Sequence, residues 1–211
     1  MCLKVILQCT QKTNSYQGNL VCRRICLVEN KEKFIGIFND VVQRSGKERL
    51  LEYIEKMDFF TAPASTKHHG AYAGGLVEHS LNVFNRMQKH KEIYSLETLA
   101  IVSLLHDLCK ADYYATDYRN VKQPDGSWKK EPYYTVNDKL PIGNHGDKSV
   151  FLIQRFMPLS AEEVAAIRYH MGAYQEGDAK VLSKVYEKYP LALLLHTADM
   201  EATYIDEKRD T

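Results

Sequence analysis

The sequence has 211 residues, and its 28 Lys and Arg against 27 Asp and Glu give a formal net charge of +1 at pH 7. This length predicts one domain. The balanced charge excludes a global basic field for nucleic acid, while a local basic groove stays compatible with it. The five cysteines form no C-x-x-C pair, which argues against a disulfide framework and favours a cytoplasmic location. Apolar runs are too short to span a bilayer, so we expect no membrane partner and leave a homo-oligomer open.

Residues 1–33 differ from the rest of the chain. We expect them to form a poorly ordered N-terminal extension, followed by one domain at residues 34–211. Within the extension, the segment from Val21 to Val28 predicts a short strand. Four cysteines there could supply thiolates to zinc, but their irregular spacing favours the loosely ordered alternative. These are Cys2, Cys9, Cys22 and Cys26.

From Phe34 onward, apolar residues recur every three or four positions, which predicts helices. Ser95, Asn144 and Ser160 are placed to cap three of them. A loop at residues 59–75, marked by Pro63 and three glycines, interrupts the pattern. The predicted helices cover about 34–42, 50–57, 76–91, 96–107, 145–157, 161–170, 181–189 and 190–205.

Residues 112–139 break the helical pattern. Their strand-like runs flank Pro124-Asp125-Gly126, which predicts a β-hairpin. Aromatic residues on this hairpin could stack a nucleic-acid base, or they could only hold the two strands together, and both alternatives stay open. The expected fold is therefore an all-α bundle with one small β-hairpin insertion.

Several polar residues interrupt the apolar helices. Any one of the histidines, taken alone, is more often a hydrogen-bonded core or surface residue than a ligand. Asp107 and Asp199 follow apolar stretches, and a buried carboxylate needs a partner. If the helices pack around one axis, these side chains converge, and bundle cores build metal sites in this way. The residues concerned are His79, His106, Asp107, His145, His170, His196 and Asp199.

His79, the adjacent pair His106-Asp107, and Asp199 occur in this order on predicted helices. The order resembles that of the HD-domain superfamily of metal-dependent phosphohydrolases, and the resemblance implies an HD-type helical bundle. The segment from His106 to Lys110 is similar to the superfamily's H-D-x-x-K variant. The loop from Lys67 to Gly75 is most similar to the HD catalytic domain of bacterial 3′–5′ exoribonucleases.

Two further segments, Gly143 to Ser149 and Tyr169-His170, resemble the parts of the superfamily that carry extra histidines and hold two metals. The resemblance therefore implies two divalent ions per chain, with Mn, Fe, Co, Ni and Zn all compatible with the ligands. The first ion would be held by His79, His106, Asp107 and Asp199. Asp107 would bridge to a second ion held by His145 and His170.

The resemblance also implies roles for residues around the metals. Asp107 and Lys110 would be catalytic, and Lys110 would also bind a phosphate oxygen, with a surface lysine as the alternative. Lys148 lies near a predicted helix N-terminus, where a phosphate can bind. His196 could contact the substrate or support a metal ligand. The expected substrate-binding residues are Lys110, His68, His69, Lys148 and His196.

The function expected from this resemblance is a phosphohydrolase in which metal-activated water cleaves a phosphate mono- or diester. The expected partners are a phosphorylated small molecule, a nucleotide or a short single-stranded nucleic acid. Two alternatives stay open. One is a nucleotide- or metal-sensing domain without turnover, and the other is an oxygenase with two iron ions.

Overall fold

A computed structural model describes residues 16–207, with side chains from residue 25 onward. The chain in this range is mostly helical with one antiparallel hairpin, as predicted, while the HD type of the bundle stays a prediction. The α-helices are α1 (Tyr16–Val41), α2 (Lys47–Lys56), α3 (Gly75–Met87), α4 (Leu96–Leu105), α5 (His145–Gln154), α6 (Ala161–Tyr169), α7 (Leu182–Lys188) and α8 (Pro190–Glu201). The strands are β1 (Tyr114–Lys122) and β2 (Trp128–Val136). Short 3-10 turns lie at Gln88–His90, Leu108–Lys110, Gly172–Tyr174 and Asp178–Lys180, and a π-helical turn lies at Ala202–Asp206.

Four helices surround the centre of the bundle. α3 packs against α4 and α8, and α6 packs against the same two helices, so the four close a ring. Each contributes a fully buried apolar side chain to the interior: Leu76, Leu104, Ile167 and Leu195. α1 covers α3 and α4, and α5 lies against α6. The ring therefore directs one face of four different helices toward a common centre.

Helix α1 corrects the prediction for the N-terminal segment. Val21 to Val28 is helical and not a strand, because a short apolar run does not by itself distinguish a strand from a buried helix. The helix runs without a break across residue 33, and Cys26 is buried against the domain. Lys31 pairs with Glu55 at 3.2 Å. Residues 1–15, and with them Cys2 and Cys9, lie outside the described residues, and so does the side chain of Cys22. The division at residue 33 stays a prediction.

The three predicted helix caps are confirmed. Ser95 accepts a hydrogen bond from the backbone N–H of Thr98. Asn144 and Ser160 each open a capping box, in which the cap side chain and the residue three positions later satisfy each other's backbone N–H. These contacts depend only on neighbouring residues, which is why the sequence predicts them.

Helix α4 ends earlier than predicted. Its last residue is Leu105, and Asp107 has left the helical conformation, with φ −106° and ψ 20°. The 3-10 turn Leu108–Lys110 follows and packs against α5, where the Cys109 N–H donates to Ser149 Oγ at 3.1 Å. This tertiary contact replaces a further helical turn. In a 3-10 turn, side chains three positions apart stand in line, so Lys110 lies beside Asp107.

The hairpin has the predicted turn. Lys122 pairs with Trp128 at the end of the ladder, and Gly126 adopts φ +84° in the connection. The Asp125 carboxylate accepts from the backbone N–H of Ser127 at 2.9 Å, which stabilises the turn. Within the described residues, none of the helices has the length and apolar character needed to cross a membrane.

Candidate metal centre

Each helix of the ring contributes one side chain to a buried polar centre. His79 lies on α3, His106 directly follows α4, His170 directly follows α6, and Asp199 lies on α8. The three histidines are fully buried, and Asp199 is 9% exposed. Asp107, which follows His106, is 2% exposed. We call these five residues together with His145 the central cluster.

His106 and His170 are oriented by the same local contact. Nδ1 of His106 donates to the backbone carbonyl of Ser103 at 2.8 Å, and Nδ1 of His170 donates to that of Ile167 at 2.7 Å. A carbonyl only accepts hydrogen bonds, so each Nδ1 carries the proton. When the rings are neutral, each Nε2 is left with a lone pair that faces the centre of the bundle.

His79 is oriented in the same sense by a carboxylate. Its Nδ1 lies 3.0 Å from Glu207 Oε1, so the proton of the neutral ring is on Nδ1. Its Nε2 lies 3.3 Å from His106 Nε2 and 3.1 Å from Asp199 Oδ1. Nitrogen lone pairs and carboxylate oxygens therefore face one another in a buried space. This arrangement is unfavourable unless a proton or a cation lies between them.

Asp107 divides its two oxygens between two pairs of histidines. Oδ2 lies 3.4 Å from His106 Nε2 and 3.8 Å from His79 Nε2. Oδ1 lies 2.6 Å from His145 Nε2 and 3.5 Å from His170 Nε2. This is the arrangement expected of a carboxylate that bridges two cations.

The donor atoms fit a divalent cation. Nitrogen and oxygen ligands about 2.1 Å from one ion lie about 3.0 to 3.4 Å apart at right-angled and tetrahedral geometry. Three separations around His79, Asp199, His106 and Asp107, of 3.3, 3.1 and 3.4 Å, agree with this range, and the 3.8 Å between His79 Nε2 and Asp107 Oδ2 is longer. His170 Nε2 is buried without a hydrogen-bond partner, because its 3.5 Å separation from Asp107 is too long. The cluster is therefore able to hold a metal ion.

The charges of the cluster act strongly on one another. Burial opposes protonation of His79, but the carboxylates of Glu207 and Asp199 raise its pKa to about 10. Burial alone would raise the pKa of Asp107, but the positive charge of Lys110 and the neighbouring histidines hold it well below the ordinary value. Both aspartates of the cluster are thus ionised and able to bind a cation.

Lys110 lies beside the cluster. Its ammonium is 2.7 Å from Asp107 Oδ2, and its side chain is 12% exposed. Burial lowers the pKa of a lysine, but Asp107 raises that of Lys110 above its ordinary value, so Lys110 is charged. The structure therefore places a positive charge next to the candidate metal site, and the catalytic and phosphate-binding roles of Lys110 stay predictions.

His145 contacts both Asp107 and Cys109. Its Nε2 lies on Asp107 Oδ1, and its Nδ1 lies 3.1 Å from the Cys109 sulfur. Burial, followed by the charge of Asp107, raises the pKa of the Cys109 thiol to about 12, so the thiol stays protonated. Cys109 therefore supports His145.

The other predicted site residues lie in different places. His69 packs against His79, with ring centroids 4.8 Å apart, and burial lowers its pKa to about 4. His68 is exposed, on the same loop. Nδ1 of His196 donates to the backbone carbonyl of His170 at 2.6 Å, which holds the turn that carries a cluster ligand.

Lys148 faces a neighbouring cavity. Its ammonium pairs with Asp138 and lies 5.7 Å from the centroid of Tyr113. These three residues, with Cys109, line a cavity of about 230 Å³. The charge of Lys148 is thus paired with Asp138, outside the cluster, whereas the charge of Lys110 is paired with Asp107 of the cluster. The assignment of Lys148 to substrate stays a prediction.

Glu207 is the residue that the sequence analysis missed. Its side chain is 3% exposed and lies between His79 and Asn82, whose amide donates to Glu207 Oε1 at 3.0 Å. Glu207 follows the π-helical turn that ends at Asp206, far along the chain from His79. A polar residue past the end of a helix carries no periodic signal, so only the packing of this turn against α3 reveals the contact.

Comparison with known proteins gives one match. The family model TraI_2, described as "Putative helicase", matches residues 11–127, which is more than half of the 211 residues. The chain belongs to the TraI_2 family. Neither a search of curated proteins nor a search of solved structures returned a significant match.

The TraI_2 match corrects the predicted function. A phosphohydrolase was expected from the sequence, whereas the family description is that of a helicase, which points to a nucleic-acid-related enzyme. The matched part of this TraI_2 protein includes His79, His106, Asp107 and Lys110, while His145, His170 and Asp199 lie beyond it. The prediction of phosphate-ester hydrolysis is therefore wrong. The predicted metal ligands, which the match does not test, stay a prediction.

Proposed function

We propose that the described domain is the divalent-metal-binding part of a nucleic-acid-related enzyme, and that its central cluster and Lys110 bind phosphate groups of nucleic acid. One observation carries the proposal. The Nε2 atoms of His79, His106 and His170 converge, in a buried space, on the oxygens of Asp107 and Asp199. A proton on His79 can satisfy this arrangement, and a divalent cation that displaces the proton would satisfy it with ligand types that such ions accept.

The two oxygens of Asp107 support two metal ions. One ion would be held by His79, His106 and Asp107, with Asp199 3.1 Å from His79 Nε2 as a fourth ligand, and the other by Asp107, His145 and His170. Imidazole and carboxylate ligands together admit Mn, Fe, Co, Ni and Zn. The order of these ligands along helices also supports the proposal that the bundle is of the HD type.

The charge balance favours a phosphate ligand. Two divalent cations and Lys110 would carry five positive charges, and the carboxylates of Asp107, Asp199 and Glu207 carry three negative ones, which leaves two positive charges. Bound metals supply a concentrated positive charge for phosphate oxygens, and Lys110 adds an ammonium that can donate to them. Nucleic acid is the phosphate-rich partner that agrees with the family description.

The proposal concerns binding at the cluster and not the hydrolysis of ATP. The printed sequence has no G-x-x-x-x-G-K-[ST] segment, the loop with which P-loop enzymes hold nucleotide phosphates.

The test joins metal content to nucleic-acid affinity. The full chain is stripped with a chelator, reloaded with each candidate metal and analysed by inductively coupled plasma mass spectrometry. In parallel, the fluorescence anisotropy of a labelled oligonucleotide gives the dissociation constant. We expect close to two metals per chain, and an affinity for the oligonucleotide that falls at least about tenfold on stripping and returns on reloading.

Matched variants complete the test. Asp107→Asn should lose both metals and the metal-dependent part of the affinity, whereas Asp40→Asn, at an exposed position on α1, should change neither. If the stripped and reloaded proteins bind the oligonucleotide equally well, the cluster does not hold phosphate. If no metal binds on reloading, the central proposal is wrong.

A further inference from the structure

The hairpin register sorts charged side chains onto two faces. Directly paired residues share a face of the ladder. One face therefore carries the pairs Tyr118–Pro132, Asn120–Lys130 and Lys122–Trp128. Its two charged residues are both lysines, and none of these six residues is acidic. We call these six residues the cationic face.

The opposite face has a balanced charge. Asp117 pairs with Tyr133, Arg119 with Glu131, and Val121 with Lys129, which gives two positive and two negative charges. The phenol of Tyr133 donates to Asp117 at 3.2 Å, and Arg119 lies 5.5 Å from the centroid of the same ring. This face thus has no net charge, and its Asp117 and Arg119 both contact Tyr133. The cationic face leaves its lysines for a partner.

Two large aromatic rings on the cationic face are exposed. Tyr118 is 63% exposed and Trp128 is 68% exposed. Their cross-strand partners are Pro132 and Lys122, and within the described chain neither ring contacts another aromatic ring. Rings that hold a hairpin together would cover one another, so this arrangement decides against that alternative. Exposed rings beside lysines are the chemistry that binds single-stranded nucleic acid, whose bases stack and whose phosphates attract cations.

The same side of the hairpin leads to the central cluster. Tyr114, at the start of β1, lies with its ring centroid 6.5 Å from that of Tyr134, and it shares the face of Tyr118 through the alternation of the strand. Lys110 acts electrostatically on the Tyr114 phenol from the cluster side. Strand β1, which carries part of the cationic face, therefore begins near Lys110 and Asp107, on the side of the cluster.

A groove lies beside the hairpin. It has a volume of about 660 Å³ and separates the hairpin from the loop that carries His68 and His69. Lys67 on the loop and Arg119 on the hairpin stand on its two sides, and none of the described residues that line it is acidic. The groove thus adds positive charge between this loop and the hairpin.

We propose that the cationic face of the hairpin is a binding surface for single-stranded nucleic acid, which it leads to the central cluster. This inference rests on the proposed function and adds the strand state and the surface. From Tyr114 to Lys122 the strand extends about 26 Å, at about 3.3 Å per residue, which is the scale of a site for several nucleotides. Single-stranded DNA and single-stranded RNA share the stacking bases and the phosphates.

A direct test uses the tryptophan fluorescence of the unmodified protein. Trp128 is the only tryptophan of the 211 residues, so its emission reports this surface alone. We expect a dT12 or rU12 oligonucleotide to quench the emission saturably, with the dissociation constant that anisotropy gives. The ratio of the two constants decides between DNA and RNA. Anisotropy binding without quenching would show that nucleic acid binds elsewhere and would overturn the proposal, as would equal quenching by a blunt duplex or an acidic peptide.

Neighbouring lysines give a matched pair of variants. Lys130 is on the cationic face, and Lys129 is on the opposite one. Lys130→Ala should lower the salt dependence of single-strand binding by about 0.7 in the slope of log K against log salt, the amount for one lost phosphate contact. Lys129→Ala should leave the slope unchanged. Tyr118→Ala should weaken binding about tenfold, because a stacked base is lost. Equal effects of the two lysine variants would contradict the assignment of faces.

Failure of this inference is distinguishable from failure of the proposed function. If the cluster does not bind phosphate but the cationic face binds the strand, Trp128 quenching persists and does not change when metal is stripped. If the cluster binds phosphate but the cationic face does not bind the strand, oligonucleotide affinity depends on metal while the Trp128 emission stays constant. When both are correct, stripping weakens the affinity measured by quenching, and the final extent of quenching is retained.

Discussion

Glu207 Oε1 lies 3.0 Å from Nδ1 of His79, on the side of the imidazole that faces away from the central cluster. Asn82, one turn along α3 from His79, donates to the same oxygen. A carboxylate in this position sets the orientation of a metal-binding imidazole and increases its basicity. The Nδ1 side of His79 is thus fixed by Glu207, a residue 128 positions away in the chain, while Nε2 faces the cluster.

This contact predicts that Glu207 controls metal affinity. Glu207→Ala should weaken metal binding about 10- to 100-fold, because His79 loses its orienting acceptor. Glu207→Gln should lose less, since the amide oxygen still accepts from Nδ1. Competition with a chromogenic chelator measures both constants. Asp206→Asn is the control, because Asp206 lies next in the chain but pairs with Arg86. A similar loss in the control would mean that the whole turn, and not the carboxylate, matters.

The second prediction concerns His145. Because His145 contacts only the Oδ1 side of Asp107, His145→Ala should remove one metal ion and leave the ion at His79, His106 and Asp199. Elemental analysis of the purified variant should give close to one metal per chain. His90→Ala, outside the cluster, should keep the wild-type number. An unchanged count in His145→Ala would make this histidine a structural residue.

The third prediction compares two glycines. A Cβ at Gly75, the first residue of α3, would lie 2.0 Å from the carbonyl oxygen of Gly70, so Gly75→Ala must displace the loop that carries His69. A Cβ at Gly36 in α1 would meet nothing within 4 Å, and alanine is the better helix former. We expect Gly36→Ala to raise the free energy of unfolding by about 0.5 to 1 kcal/mol. Gly75→Ala should lower the free energy of unfolding by more than 1 kcal/mol, because a clash with backbone atoms is relieved only by moving the loop. Urea unfolding at neutral pH measures both values, and the reverse order would contradict the packing of this loop.

The fourth prediction concerns the ion pair of Arg44 and Glu163. The carboxylate of Glu163 is 1% exposed and accepts two hydrogen bonds from Arg44, at 2.6 and 3.0 Å. Burial alone would raise the pKa of Glu163, but Arg44 and the Ser160 backbone hold it below the ordinary value of 4.5. The pair therefore contributes stability that is fully present above pH 4.5 and is lost as the pH falls through the lowered pKa.

Arg44→Ala tests this pair, because it leaves Glu163 buried without its partner. It should lower the free energy of unfolding by about 3 kcal/mol at neutral pH, and the deficit should shrink as the pH falls toward and below 4.5, because the buried Glu163 without its partner then takes up a proton. Urea titrations over this range give the difference. Arg49→Ala, at an exposed arginine, is the control. A deficit for Arg44→Ala that does not change with pH would assign the loss to packing.

Much of the fold could be predicted because local contacts encode it. The caps at Ser95, Asn144 and Ser160 and the turn at Gly126 depend on residues at most four positions apart. The prediction of a strand at Val21 to Val28 was wrong because the structure of this segment depends on contacts that are not local. A short apolar run takes its structure from what it packs against, and here that is a helical bundle.

The sequence by itself determined which side chains could bind a metal, and that they lie on helices or within two residues of a helix end. Their convergence was decided only by the tertiary structure, because it depends on the ring of α3, α4, α6 and α8. The same holds for the two directions of the Asp107 oxygens, since the early end of α4 sets them through contacts with α5. Glu207 could not be found from the sequence at all. Hydrogen bonds within a turn depend on residues that are neighbours in the sequence and can be predicted from it. Contacts between distant residues form only when the helices pack.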